Sequence, residues 1–83
     1  PDLGIFSNLD DGFRGMAWAG REYVLGTNQA HQGIVADLPP GTWRVTRYDV
    51  IAKQAEVLRT DAQGRFTFDA PESRAVLFHF ERE

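Results

Sequence analysis

The residues that could do acid–base chemistry lie mostly where turns are expected. Seven candidate carboxylates stand at the ends of apolar runs: Asp10, Asp11, Asp37, Asp49, Glu56, Asp61 and Asp69. Glycoside chemistry requires two carboxylates that converge in one cleft, whereas an Asp at a turn accepts hydrogen bonds from nearby backbone N–H groups. The placement favours turn capping. Only Asp49 remains a candidate for another role, because its carboxylate could hydrogen-bond across a bulge or bridge to a neighbouring domain.

The two histidines, His31 and His79, give no support to catalysis or to a metal centre. The chain contains no Cys, and two histidines cannot make a multi-histidine zinc site. Neither Ser7 nor Ser73 lies in a recognisable nucleophile motif. Residues 8–12 have the composition of a calcium loop but lack the alternating oxygen ligands and distal Glu of an EF-hand. We predict a non-catalytic chain without cofactor or metal, and we interpret His79 as a rim or interface histidine.

Four large aromatic residues could form a platform for sugars: Trp18, Tyr23, Trp43 and Tyr48. Flat aromatic faces stack on pyranose rings, but a small domain also needs such side chains in its core, where each buries about 150–250 Å². Trp43 is the clearest core residue. For Trp18 and Tyr48 we favour the core, with an exposed sugar platform or a domain interface as the alternative.

The segment 37–50 organises the elements that would position these residues. Pro39 and Pro40 cannot donate to a sheet ladder, so one strand should end near Leu38 and another should begin at Thr42. Trp43 and Val45 share one parity of that strand, while Tyr48 and Val50 share the other. We therefore expect a bulge near residues 46–47 and a long, bent strand that passes from one sheet to another.

Short alternating runs separated by turn residues indicate the rest of the fold. Ala19-Gly20 should reverse the chain between two strands, with Tyr23 and Leu25 facing the core. Asp61-Ala62-Gln63-Gly64 predicts a second turn, followed by inward-facing Phe66 and Phe68. We find no convincing helical period. The pattern predicts one domain over residues 1–83: an all-β, small antiparallel β-sandwich, immunoglobulin-like, with about seven strands.

Composition excludes several classes of partner. The 83 residues carry a formal net charge of −3 without a basic run, which argues against nucleic acid and against a membrane surface as partners. The longest apolar runs are too short to span a bilayer. The compartment stays open, with the extracellular or periplasmic space slightly favoured. Because the chain begins with Pro1 rather than Met, we expect it to be a piece of a longer protein.

The last strand, predicted over residues 74–80, is apolar on both parities. A sandwich strand needs only one parity for its own core, so the other should be covered by a neighbour. We predict that Leu77, together with Ala75 and His79 and with help from Trp18 or Tyr48, contacts another chain or domain.

The string from Leu38 to Asp49, the turn at 61–64, Phe66-Thr67-Phe68 and the apolar last strand resemble the β-sandwich domains at the C-termini of bacterial glycoside hydrolases. The resemblance covers about residues 21–83. It implies that the chain is the C-terminal part of a longer protein and a non-catalytic accessory domain that packs against a (β/α)₈ catalytic barrel, in the same or an associated chain, with carbohydrate as a further ligand. The same motif also resembles prealbumin-like and carboxypeptidase-regulatory-like modules, which would make the chain an independent glycan- or protein-binding module.

Overall fold

A computed structural model describes residues 4–9, 12–18, 20–71 and 73–83, and within these residues eight strands form two antiparallel sheets. The strands are β1 (Phe6–Ser7), β2 (Arg14–Trp18), β3 (Glu22–Thr27), β4 (His31–Asp37), β5 (Trp43–Asp49), β6 (Gln54–Ala62), β7 (Arg65–Ala70) and β8 (Val76–Arg82). The small sheet has the order β1-β4-β7, and the large sheet has the order β2-β3-β8-β5-β6. The predicted all-β sandwich of about seven strands is confirmed, and the shortest strand, β1, has only two residues. In the described part of the chain, no helix has the length and hydropathy needed to cross a membrane.

Aromatic side chains from both sheets fill the space between them. Phe68 of the small sheet lies 4.7 Å from Phe78 of the large sheet, measured between ring centroids. Phe6 of the small sheet lies 5.2 Å from Phe80 of the large one. These edge and tilted ring contacts add to the apolar area that the two sheets bury against each other. The core therefore lies where the alternation of Phe66 and Phe68 predicts it, although Phe66 itself is half-buried.

Trp43 connects the core to the double-proline turn. Its side chain is fully buried, and its indole Nε1–H donates to the carbonyl oxygen of Pro39 at 3.0 Å. A buried indole N–H needs such a partner, and here the partner is a carbonyl that the turn leaves free of the sheet ladder. The predicted inward positions of Trp43, Val45, Tyr23 and Leu25 are all confirmed.

The predicted bulge and sheet crossing in β5 are wrong. β5 pairs with β8 in an unbroken register from Trp43 opposite Arg82 to Asp49 opposite Val76. The irregularities lie in β6, since the two steps from Trp43 to Val45 are matched by three steps from Ala62 to Arg59. β5 stays in the large sheet throughout. The alternation of β5 stays regular, and Tyr48 lies on the outer surface of the large sheet.

Several predicted boundaries shift by a few residues. Gly20 and Gly64 have positive φ angles of 78° and 64°, as expected for turn glycines, but β6 continues through Asp61 and Ala62, so the second turn is shorter than predicted. β4 begins at His31 and has a register shift between His31 and Ile34. Ala19, Asp10 and Asp11, to which the first hairpin turn and the calcium-loop resemblance refer, lie outside the described residues.

Candidate docking face

The large sheet presents a continuous row of side chains on the surface turned away from the core. Residues that pair directly across an antiparallel sheet lie on the same side of it. The register joins Met16 to Val24, Val24 to His79, His79 to Thr46 and Thr46 to Val57, one residue from each of the five strands. Leu77 and Tyr48, which also pair with each other, lie in the next row. We call this surface the docking face: Met16, Trp18, Glu22, Val24, Thr46, Tyr48, Val57, Leu77 and His79.

Five apolar or aromatic members of the docking face are in contact with water. The exposed fractions are 55% for Met16, 52% for Val57, 50% for Trp18, 41% for Tyr48 and 39% for Leu77. The core position favoured for Trp18 and Tyr48 is therefore wrong. Each shares a parity with the outer row, since Trp18 pairs with Glu22 and Tyr48 pairs with Leu77.

The four residues predicted as binding candidates, Trp18, Tyr48, Leu77 and His79, all lie on the docking face. Ala75, which was grouped with them, precedes β8 and is half-buried. Sequence reasoning missed Glu22, Val24, Thr46 and Val57 as members. Met16 lies two residues before Trp18 and therefore has the same parity, which is a signal for Met16 in the sequence itself. Val57 had no comparable signal, because its orientation depends on the two register shifts in the pairing of β6 with β5.

Leu77 lies against the backbone of the adjacent strand. A Cβ atom placed on Gly26 would be only 2.8 Å from Leu77 Cδ2, closer than unbonded carbon atoms approach. The missing side chain of Gly26 therefore gives Leu77 room to lie over β3.

One polar pair lies among the apolar side chains of the docking face. His79 Nε2 and Glu22 Oε1 are 2.5 Å apart, and since a carboxylate only accepts, the imidazole N–H donates. The His79 ring also lies 6.4 Å from the Tyr48 ring. This hydrogen bond gives the Glu22 carboxylate a donor where its neighbours are partly apolar, and it joins the side chains of two adjacent strands, β3 and β8. The other histidine, His31, is far away in the fold and has Nε2 2.5 Å from the carbonyl oxygen of Asn8.

Asp49 supports the turn between β5 and β6. Its Oδ1 accepts hydrogen bonds from the backbone N–H groups of Ala52 at 3.0 Å and Ile51 at 3.1 Å, and from Arg74 Nη2 at 3.1 Å. The Ala52 hydrogen bond is the largest cause of a lowered pKa for the Asp49 carboxyl, reinforced by Arg74 and Ile51 and opposed by partial loss of water. Asp49 thus has the turn-capping role expected of these carboxylates.

The other candidate carboxylates that the structure describes are also engaged locally. Three of them form ion pairs with arginines, and one accepts a backbone N–H: Asp37–Arg65 at 3.2 Å, Glu56–Arg47 at 2.6 Å, Asp61–Arg59 at 3.1 Å and Asp69–Gly33 N at 2.8 Å. Within the described ranges, no group of three or more His, Asp or Glu side chains is arranged to hold a metal ion.

Trp18 and Tyr48 do not form one aromatic platform. They are three strand spacings apart and four residues apart along the strand direction, since Trp18 lies in the row of Glu22 and Tyr48 in the row of Leu77 and Gly26. With about 4.8 Å between strands and about 3.3 Å per residue, the two rings are on the order of 20 Å apart. A sugar ring could stack on only one of them.

The β6 edge of the large sheet is less suited to binding than the face of the sheet. β6 is nine residues long and pairs only with β5, but its two register shifts disturb the row of backbone groups. Charged Glu56, Arg59 and Asp61 also line it. Bulges and charges are the means by which natural edge strands avoid pairing with another chain.

Comparison of this chain with protein-family models, with curated proteins and with solved structures finds no match. Support for a function therefore comes from the chemistry of the docking face and from the motif resemblance of residues 38–80.

Proposed function

We propose that this chain is a non-catalytic accessory domain whose docking face packs against a neighbouring protein domain, and that the neighbour is the catalytic domain of a carbohydrate-active enzyme. The observation that carries the proposal is the exposure of five large apolar or aromatic side chains, 39–55% each, on one continuous face. Soluble monomers rarely present a contiguous apolar patch of more than a few hundred Å² unless it binds something.

The size of the face suits a protein domain as the occupant. The molecule measures 31 × 25 × 20 Å, and a flat face on its longer sides approaches the ~800 Å² per partner of a standard interface. We expect the contact to bury upwards of about 1,000 Å² in total. A sugar ring would cover only one corner of this surface.

The enzymatic identity of the neighbour is supported by the resemblance to glycoside hydrolase C-terminal sandwiches. In keeping with an accessory role, Asp49 caps a turn, Asp69 accepts a backbone N–H, and Asp37, Glu56 and Asp61 pair with arginines, so these candidate carboxylates do not converge as an acid–base couple. The catalytic carboxylates would then belong to the neighbour. An independent module that binds glycan at Trp18 is the second candidate, because that indole is half exposed at the corner of the face.

Hydroxyl-radical footprinting of the natural protein, purified with whatever accompanies it, tests the docking. Met16, Trp18 and Tyr48 label readily when exposed, so each should label at least severalfold more slowly in the natural protein than in the isolated 83-residue chain. Trp43 is the internal control, because it is buried within this chain and should label slowly in both. Equal labelling of Met16 and Tyr48 in the two samples would contradict docking, and slower labelling of Trp18 only when oligosaccharide is added would favour the glycan-binding module.

The enzymatic part of the proposal has its own assay. On a panel of aryl glycosides we expect turnover by the natural protein and none by the isolated chain. Turnover by the isolated chain that disappears after one Asp or Glu substitution within it would show that the domain itself is catalytic. Absence of turnover by the natural protein would remove the carbohydrate-active neighbour while leaving the docking proposal to be decided by the footprint.

A further inference from the structure

We propose that two copies of this chain pair through the β2 edge of the large sheet and so join their large sheets into one continuous sheet. β2 forms that edge because it pairs only with β3. The pairing is antiparallel, about a twofold axis at Met16. It goes beyond the proposed function, because it does not depend on what covers the docking face.

The backbone of β2 presents hydrogen-bonding groups at the edge of the sheet. Successive residues of a strand point their N–H and C=O groups to opposite sides. The Trp18 carbonyl oxygen accepts from Arg21 N–H at 2.9 Å across the hairpin turn, so the backbone groups of Trp18 and of Met16 point toward β3. Those of Gly15 and Ala17 therefore point away from the sheet. Neither residue has a side chain larger than a methyl group, so both leave room for another strand.

The other described edge strands carry protection that β2 lacks. β6 has two register shifts in its pairing with β5, β7 carries the charged residues Arg65 and Asp69, and β1 is only two residues long. β2 pairs with β3 in an unbroken register from Arg14 to Trp18, and Arg14 is its single charged residue. Bulges, charges and short length are the devices that keep natural edge strands from pairing. Among the described edges, β2 is thus the one best suited to accept another strand.

The backbone of β2 is complementary to itself in the antiparallel orientation. With the axis at Met16, Gly15 of one copy lies opposite Ala17 of the other, and such a pair exchanges two backbone hydrogen bonds. The axis repeats this pair, so both edge-facing residues of both copies are satisfied. An axis at Gly15 or at Ala17 would place the other of these two residues opposite a residue outside β2. The register centred on Met16 therefore pairs the whole strand.

The side chains that this register brings together also match. Arg14 of one copy lies opposite Trp18 of the other, and a guanidinium laid on an indole ring is attracted by its π-system. Trp18 is 50% exposed and accessible to such a contact. Arg14 Nη1 donates to the Phe13 carbonyl oxygen at 2.8 Å, a bond in the guanidinium plane that leaves stacking on its flat face possible. Because each end of β2 complements the other end, the occupant of this edge is a second copy of the chain.

Proline variants test the pairing in the isolated chain. All samples carry Leu77→Asp to suppress contacts between docking faces, and circular dichroism verifies their fold. A five-residue contact is smaller than a standard interface, so sedimentation velocity should show a weak dimer with a dissociation constant on the order of 0.1–1 mM. Ala17→Pro removes one edge-facing N–H from each copy and should weaken the dimer at least about tenfold.

Thr67→Pro is the matched control for Ala17→Pro. Leu38 N–H donates to the Gly64 carbonyl oxygen at 2.8 Å, so the backbone of Gly64 points toward β4 and that of Thr67, three residues later, points away from the small sheet. Proline is tolerated on an edge strand where the N–H faces solvent. Thr67→Pro therefore changes an edge of the other sheet in the same way and should leave the dimer unchanged.

Single-cysteine variants test the register and still decide the proposal should Ala17→Pro not fold. The chain contains no Cys. In the paired strands the two Cα atoms of residue 16 should be about 4.5 Å apart, a separation that a disulfide spans, and those of residue 18 on the order of 14 Å apart. Met16 and Trp18 are 55% and 50% exposed, so random collisions would cross-link both alike. Mild oxidation should instead cross-link Met16→Cys at least about fivefold faster than Trp18→Cys.

Each result decides for or against the pairing. A chain that stays monomeric at about 1 mM, a dimer that Ala17→Pro leaves intact or that both proline variants weaken equally, or equal cross-linking of the two cysteine variants would overturn it. A disulfide from Met16→Cys to a different chain in the natural protein would identify another protein's strand at this edge and would also overturn it. The footprint of Tyr48 is separate, so the pairing can fail while docking stands, and docking can fail while the copies pair.

Discussion

The outer faces of the two sheets are built on the same alternation of strands but expose different chemistry. On the small sheet, Ser7 pairs with Val35, which pairs with Thr67, and the next position holds the Asp37–Arg65 ion pair at 3.2 Å. On the large sheet, the corresponding row holds apolar Met16, Val24 and Val57 together with Thr46 and His79. Solvation of the first surface is favourable, whereas the second exposes area that a partner could remove from water. The difference shows that strand periodicity determines which residues point outward, and that their chemistry determines whether the surface is left to solvent.

We expect the largest difference in stability between variants of the two tryptophans, Trp43 between the sheets and Trp18 on the docking face. Trp43→Ala should lower the free energy of unfolding by about 3–5 kcal/mol, because it opens a large cavity in the core, and at 4–8 °C per kcal/mol the Tm should fall by roughly 12–40 °C. Trp18→Ala should cost less than about 1 kcal/mol, since half of that side chain is already in water. Thermal unfolding followed by circular dichroism measures both. A shift below about 3 °C for Trp43→Ala would contradict its role in the core.

The contrast between the faces predicts different effects of an added carboxylate. We expect the isolated wild-type chain to self-associate weakly through the uncovered docking face, and Leu77→Asp to weaken that association at least about tenfold, because a carboxylate would have to be desolvated in the contact. Thr67→Asp, on the outer face of the small sheet, should leave the association unchanged. Sedimentation velocity over a concentration series measures the self-association of the wild type and of both variants. Equal effects of the two substitutions would mean that the faces do not differ in function.

An intermediate effect is expected from the turn that joins β5 to β6 in the large sheet. The folded-state pKa of Asp49 is lowered from the ordinary 3.8, so its contribution to stability is present above that value and is lost as the pH falls through the lowered pKa. Asp49→Ala should reduce the Tm at pH 7 and make the decline of Tm below pH 4 shallower. Asp49→Asn keeps an acceptor for the Ile51 and Ala52 N–H groups and should lie between the two. Identical pH profiles for wild type and Asp49→Ala would show that the lowered pKa does not contribute to stability.

We expect the smallest change in stability from a substitution on the outer face of the small sheet. Arg65→Ala removes the ion pair with Asp37, in which both side chains are largely exposed, and an exposed pair contributes about 0–1 kcal/mol. The Tm should change by no more than a few degrees, and the self-association should not change at all. A loss above about 2 kcal/mol, measured by urea unfolding, would mean that this surface is more than a solvated face.

The strand pattern was sufficient to predict the interior of the sandwich. Alternation placed Tyr23, Leu25, Trp43, Val45 and Phe68 inward, and all five are buried. Their positions follow from local periodicity, because one parity of each strand is clearly more apolar than the other. The turn at Gly20 could also be predicted from neighbouring residues, because the glycine conformation depends only on the chain reversal at that position.

The failures arose where both parities are apolar or where the decisive residues belong to another strand. Tyr48 has the size and chemistry of a core residue, and only its pairing with Leu77 shows that it faces outward. The irregularity expected in β5 is in β6 instead, and nothing in the residues of β5 could indicate this. The docking face likewise depends on a register that joins Met16, Val24 and His79 over more than sixty positions of sequence, so single candidates could be named but their assembly could not.

The last strand in sequence occupies the middle of the large sheet, between β3 and β5. During synthesis on the ribosome, the hairpins β2-β3 and β5-β6 are complete long before residues 76–82 leave the exit tunnel, but they have no shared strand until then. An isolated two-stranded hairpin is only marginally stable in water. Formation of the large sheet should therefore wait for β8, and a chain that stops within β8 would yield two unjoined hairpins whose apolar surfaces are available to chaperones and proteases.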